Sequence, residues 1–244
     1  MKDKNKIFGI RPVIEAINSD KQIDRVYIKK GLSGEGFGEL FTLIRNKKIA
    51  FQYVPVEKLD RVTSKNHQGI IAFLPEIEYY QLEDVIPFVY ENKKVPLILL
   101  LDKITDVRNF GAIARTAECS GVDAIVIPAR NSAQINADAI KTSAGALLKI
   151  PVCKVEDLFE AIIFLQESGL QIISVSEKAK ENYFEMDLTK PTAFILGSEE
   201  SGISPKYIKM SDFQTKIPML GEIESLNVSV ACGIILYEAV KQRL

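Results

Sequence analysis

The chain has 244 residues, 47% of them apolar and 26% charged, with a formal net charge of −1. These proportions suit a globular protein of one large or two modest domains. No apolar run reaches the ~20 residues that a membrane span requires, and three scattered cysteines with a single histidine argue against a disulfide framework or a zinc site and for a reducing, cytoplasmic setting.

The charge is unevenly placed. Residues 1–74 carry 14 Lys and Arg against 8 Asp and Glu, and the remainder carries 17 against 24. A basic N-terminal unit is therefore joined to an acidic one. The charged start Met1–Lys6 is not followed by the apolar stretch of a secretory leader. In chain order, "RPVIEAINS" reads as a helix with Pro12 near its first turn, "RVYIKK" as a strand, "FGELFTLIRNKK" as a helix, and "AFQYVP" and "QGIIAFL" as strands. The stretch "PEIEYYQLEDVIPFVYENKKVP" opens and closes on proline, and 75–95 within it reads as a linker with a short helical piece. Beyond it, "LILLLD" (97–102), "DAIVIP" (123–128), "QIISVS" (171–176) and "TAFILG" (192–197) are continuous Ile/Val/Leu strands. Helices at 109–121, near 136–147 and at 156–168 separate them. That alternation predicts an α/β fold with a mostly parallel sheet covered on both faces.

The glycine-rich "GLSGEGFG" (31–38) lacks the third glycine of a dinucleotide loop and the Lys-Ser/Thr of a P-loop, so it reads as a surface turn. His67 has no nucleophile or orienting partner in the sequence around it, which favours a structural or RNA-contact role over general-base work. Three strand ends carry more chemistry. In "DKITDVRNFGAIARTAECSG" (102–121), Asp106 can cap the helix, and Gly111 and Arg115 lie four apart. A bare glycine beside an arginine suits a phosphate, and the alternative is a surface arginine with a tolerated glycine. In "FILGSEESGIS" (194–204) a strand breaks into a Gly-bounded loop that holds Glu199, at the edge where α/β sheets bind ligands. In "KIPMLGEIESLNVSVACG" (216–233) a short strand and a Gly221 turn lead to Ser225, Asn227 and an apolar helix read from Leu226 onward. Those polar residues are either caps or the floor of a ligand site.

Together "DVRNFGAIARTA", "ILGSEESGIS" and "IPMLGEIESLNVSVA" resemble the three motifs of the SpoU (TrmH) family of RNA ribose 2′-O-methyltransferases, in the SPOUT superfamily. The likeness covers about residues 95–244. "IFGIRPVIEAI" and "HQGIIA" resemble the substrate-binding domain of the RlmB-like 23S rRNA guanosine branch. The resemblance implies a SPOUT α/β-knot over 96–244, a mostly parallel sheet with a trefoil knot, and a smaller ribosomal-protein L30e-like α/β domain over 1–74. It implies a cytoplasmic, metal-free homodimer that binds S-adenosylmethionine and RNA, most directly 23S rRNA, and sits on no membrane. Transfer to tRNA, and a non-catalytic RNA-binding or ribosome-assembly factor that kept the fold, are the alternatives. By motif match, Arg115, Asn109, Glu199, Ser225 and Asn227 fall on the family's functional polar positions. Leu196, Gly197, Ser198, Glu199, Gly202, Ile217, Met219, Ser225, Leu226 and Asn227 fall on its cofactor-binding positions. Two residues depart from the pattern: Val107 replaces the usual proline after Asp106, and Glu200 replaces a common glycine.

Overall fold

The computed structural model describes residues 5–19 and 21–244, which form two units, Met1–Glu78 and Tyr79–Leu244. The first contains β1 (Lys6–Phe8), α1 (Ile10–Asn18), β2 (Arg25–Lys29), α2 (Phe37–Asn46), β3 (Phe51–Val54), α3 (Val56–Val62) and β4 (Ile70–Phe73). Its sheet runs β1-β4-β2-β3, with β2 and β3 parallel and the other pairs antiparallel. Alternation along β2 sends Val26 and Ile28 into a core with Val13, Ile17, Leu40 and Ile44 of α1 and α2. Tyr27 faces the opposite side, with Leu59 of α3 and Ile71. The 31–38 turn leads into α2 through Gly36, whose φ of 82° suits glycine. His67 is a brace: Nδ1 accepts the Gly69 N–H at 3.0 Å, so Nε2 carries the proton that reaches Asp60 at 2.9 Å. It fixes the turn that enters β4.

The second unit opens with β5 (Tyr79–Tyr80) and α4 (Leu82–Glu91), then β6 (Leu97–Asp102), α5 (Val107–Cys119), β7 (Ala124–Pro128) and α6 (Ala137–Thr142). There follow β8 (Val152–Val155), α7 (Leu158–Glu167), β9 (Gln171–Val175), β10 (Glu181–Asn182), β11 (Thr192–Gly197), α8 (Pro205–Met210), β12 (Phe213–Lys216) and α9 (Val228–Arg243). The eight strands are all parallel in the order β10-β12-β9-β11-β6-β7-β8-β5. The Ile/Val/Leu runs form the centre, as their apolarity on both faces requires. One face packs on α4, α7 and Tyr207 of α8, while α5 lies against α6 and α9.

The structure differs from the reading of 75–95 as a linker. Residues 79–91 form β5 and α4, and Leu82, Val85, Ile86 and Val89 are buried in the second unit's core. Pro87 stands inside α4, where it removes one helical N–H. The single helix read near 136–147 is α6 followed by a 3-10 turn at Ala146–Leu148, broken where Ala144 and Gly145 take φ of 51° and 85°. The helix read from Leu226 starts two residues later, at Val228, with Asn227 as its cap.

At α9's far end, the Arg243 guanidinium donates to the carbonyls of Leu188, Val95, Pro96 and Lys190 at 2.7–3.3 Å, fastening it to the leads into β6 and β11.

Gly111 owes its identity to packing. A Cβ there would lie 2.7 Å from Thr142 Cβ and 3.1 Å from the Ala139 carbonyl of α6. Alanine would favour the helix by about 1 kcal/mol, yet overpacking a tight contact costs about 1–3 kcal/mol. Gly111→Ala should therefore lower stability in urea unfolding, against the propensity scale. The cysteines give a second check. Burial pushes the thiols of Cys153 and Cys232 up to about 12, while Cys119 is exposed. At pH 8 the two buried thiols are protonated as well as shielded. A thiol reagent should label Cys119 alone in the native protein and all three cysteines in denaturant.

Candidate active site at the carboxyl edge of the large sheet

Parallel strands direct their carboxyl ends to one edge, and ligands of such sheets bind there. β6 and β11 are paired in register to their last residues, Asp102 opposite Gly197. Beyond Gly197 the chain doubles back on itself. Ser198 and Gly202 form an antiparallel bridge, and Gly202 N–H donates to the Ser198 carbonyl at 2.8 Å. A Cβ on Gly197 would lie 2.1 Å from the Gly202 carbonyl carbon, so only glycine permits this fold-back. The loop's return leg is fixed by Asp102, 3% exposed, whose Oδ2 accepts the Ser204 N–H at 2.6 Å.

Glu199 stands at the tip of this loop. Its Oε1 accepts from Asn227 Nδ2 at 2.5 Å and from the Val228 N–H at 3.2 Å, and its Oε2 accepts from Asn109 Nδ2 at 3.4 Å. Asn227 Nδ2 also reaches Asn109 Oδ1 at 3.0 Å. Asn227 Oδ1 caps α9 by accepting the Ser229 N–H at 3.0 Å and the Ser229 hydroxyl at 2.5 Å. Asp106 caps α5, accepting the Asn109 N–H at 2.8 Å. Two helix starts and one strand-end loop thus meet at a single carboxylate, and the chain positions of both asparagines are held by their own helix caps.

Beside this cluster lies an open cavity of about 370 Å³, a size that suits a small molecule. Leu196, Gly197, Ser198, Glu199, Gly202, Ile217, Met219, Ser225 and Leu226, all expected from the sequence, line it. Asn227 does not; it stands at the edge, bonded to Glu199. The lining also includes Val175, Ser176, Glu177 and Lys178, which the sequence reading missed. β9 is the neighbour of β11, so the rule that placed the other strand ends at the site applies to "QIISVS" too. Ile208, Glu224 and Ala231 complete the gaps.

Arg115 stands apart. It is exposed on α5 and makes no hydrogen bond or ion pair among the described residues. Six residues beyond Asn109, it projects about 120° round the helix from the cluster. Gly111, four residues before it, is filled by Thr142, so the two form no phosphate cradle. Among the described residues no His/Cys/Asp/Glu group of metal-binding size occurs.

Comparison with known proteins adds to this geometry. Residues 96–237 match the SpoU rRNA Methylase family, and residues 6–80 match the family described as RNA 2′-O ribose methyltransferase substrate binding. A Bacillus subtilis protein assigned to the TrmH family of tRNA/rRNA methyltransferases is 33% identical over 97% of this chain and 95% of its own length. The SpoU methyltransferase AviRb from Streptomyces viridochromogenes, solved in complex with AdoMet, superposes with a TM-score of 0.62 at 23% identity, over 98% of this chain and 90% of that one. The TrmH/SpoU tRNA modifying enzyme of A. aeolicus is 34% identical, with a TM-score of 0.56, over 66% of this chain and 84% of its own. The α/β fold with a large parallel sheet expected for the larger unit is shared with these methyltransferases.

Removing the Asn227 side chain deletes a helix cap and two bonds to neighbouring segments. Asn227→Ala should cost roughly 1–3 kcal/mol in urea unfolding, and Ser229→Ala, which spares the bonds to Glu199 and Asn109, should cost less.

Proposed function

We propose that this chain, which belongs to the SpoU rRNA Methylase family of RNA methyltransferases, binds S-adenosylmethionine in the 370 Å³ cavity and methylates a ribose 2′-hydroxyl of RNA. The reading rests on one observation: the cavity lies against the hydrogen-bonded cluster of Asn109, Glu199 and Asn227. The lining fits the cofactor's chemistry. Leu196, Ile217, Met219 and Leu226 offer apolar cover for a planar base, and strand-end backbone at Gly197 and Ser198 offers polar groups beside it.

A bound S-adenosylmethionine supplies an electrophilic methyl on a cationic sulfur, and the protein's share is alignment and proton handling. Glu199 holds the two asparagine amides in fixed orientation. Asn227, with Ser225 at the cavity wall, then orients the ribose hydroxyl or a water. Arg115 holds the adjacent phosphate. A guanidinium with pKa above ~12 is a poor base and a good anion clamp. Because Arg115 points away from its own chain's cluster, the site is completed by the Arg115 of a second copy. Homodimer formation is supported by α9, an apolar helix on which Val230 and Tyr237 remain 50% and 52% exposed.

The substrate is a guanosine of 23S rRNA in a cytoplasmic setting. Support comes from the separate basic N-terminal unit and its substrate-binding match over residues 6–80. The A. aeolicus tRNA modifying enzyme, at 34% identity, supports tRNA as the second reading.

The test is incubation with tritiated S-adenosylmethionine and unmodified 23S rRNA or tRNA, followed by mapping of the labelled ribose. Label in 23S rRNA is expected, and label in tRNA alone would move the substrate assignment. Absence of cofactor binding would favour a non-catalytic RNA-binding factor. Arg115→Ala should lose methyl transfer by about 10²-fold or more while its cofactor affinity stays within about two-fold of the parent; unchanged transfer would remove Arg115 from the mechanism.

A further inference from the structure

We propose that the RNA backbone is gripped on the second unit by a ridge of three cations, Lys103, Arg108 and Arg130. This rests on the RNA methyltransferase reading above. None of the three belongs to the motif positions carried over from the family, and none lines the cavity.

Topology brings them together. Lys103 follows the last residue of β6, and Arg130 lies just past β7. β6 and β7 are parallel neighbours, so both residues stand at the carboxyl edge. The two loops are tied where the Ala133 N–H donates to the Ile104 carbonyl at 2.7 Å. Arg108 occupies the first turn of α5, one residue before Asn109, whose side chain joins the cluster. Arg115 lies seven residues beyond Arg108, close to two full turns, and so shares its side of α5. The three cations therefore lie along the two adjoining loops and the side of α5 that carries Arg115, the residue assigned above to hold a phosphate.

Charge points to a polyanion. The unit from Tyr79 onward carries 17 Lys and Arg against 22 Asp and Glu, and some of its cations have partners, such as Lys149 with Glu118, Lys190 with Asp187 and Lys206 with Asp157. Among the described residues, Lys103, Arg108 and Arg130 have no hydrogen-bond or ion-pair partner. The nearest acids in sequence are otherwise placed: Asp102 is buried on Ser204, Asp106 caps α5, and Asp138 lies in the first turn of α6. What sets these three apart from other unpaired cations of the unit is their gathering on two tied loops and the adjoining start of α5, which offers a landing strip for phosphodiesters.

The experiment compares two triple variants of the full chain. Lys103→Gln/Arg108→Gln/Arg130→Gln removes the ridge. Lys93→Gln/Lys94→Gln/Lys149→Gln removes the same charge from the amino edge of the sheet. Binding of transcribed 23S rRNA and tRNA is measured across a salt series, and S-adenosylmethionine affinity by calorimetry. With about 0.7 counterions released per single-stranded phosphate contact, the ridge variant should flatten the slope of log Kd against log salt by about 2. It should weaken RNA binding by about 10-fold or more at low salt and leave cofactor affinity unchanged. Equal loss in both variants would reduce the effect to net charge and overturn the ridge, as would RNA binding that survives in both. A wild-type chain that binds cofactor and no RNA would overturn the RNA reading together with the ridge.

Discussion

Glu199 accepts hydrogen bonds from residues 90 positions before it and 28 positions after it, and the site depends on that one carboxylate. An ionised carboxylate is acceptor-only, so it selects for donors on every side. The amide of Asn227 meets it with nitrogen, and the Asn227 oxygen is thereby turned to the start of α9. Asn109 then has no freedom to invert, because its own oxygen faces the same nitrogen. Hydrogen bonds to a charged partner are worth about 1.5–3 kcal/mol each. Three segments that meet at one acceptor are therefore held far more firmly than their exposed position suggests.

The carboxylate can play this part only because its loop is rigid. Gly197 lets the chain fold back within van der Waals contact of Gly202. The Ser198–Gly202 bridge closes the loop, and Asp102 anchors its return leg. A buried carboxylate is costly unless bonded, and Asp102 is bonded to the Ser204 N–H. Departures from the family pattern fall outside this chain of support. Val107 lies after the Asp106 cap, which forms regardless. Glu200 lines the cavity without joining the cluster.

Much of this was legible in the residues. The strands β6, β7, β9 and β11 announce themselves as runs of Ile, Val and Leu because both faces of a parallel sheet are dry. The residues that line the cavity were legible through their match to the family's motifs, whose loops fall at strand ends. The rest was hidden for identifiable reasons. In α4, Leu82, Val85, Ile86 and Val89 keep helical spacing, but Pro87 breaks the pattern in the middle. β8 is four residues long and includes Lys154, too short and polar to stand out. α5 shows both outcomes at once: Asn109 turned inward as its motif implied, whereas Gly111 answers to Thr142 and Arg115 points elsewhere. Helical spacing says which residues share a face, but not which neighbour that face will meet.

The order of the strands also sets the order of events when the protein is made. Asn109 and Glu199 are both in place on a growing chain before Asn227 has been added. β12 must also insert between β9 and β10, strands that precede it in sequence. Pairings over such separations form slowly. For the 28 positions from Glu199 to Asn227 the loop has its own bridge and the Asp102 anchor but lacks the amide that meets its carboxylate. The cluster of Asn109, Glu199 and Asn227 is therefore the last part of the cavity's surroundings to be completed, because its final member lies at the start of the last helix.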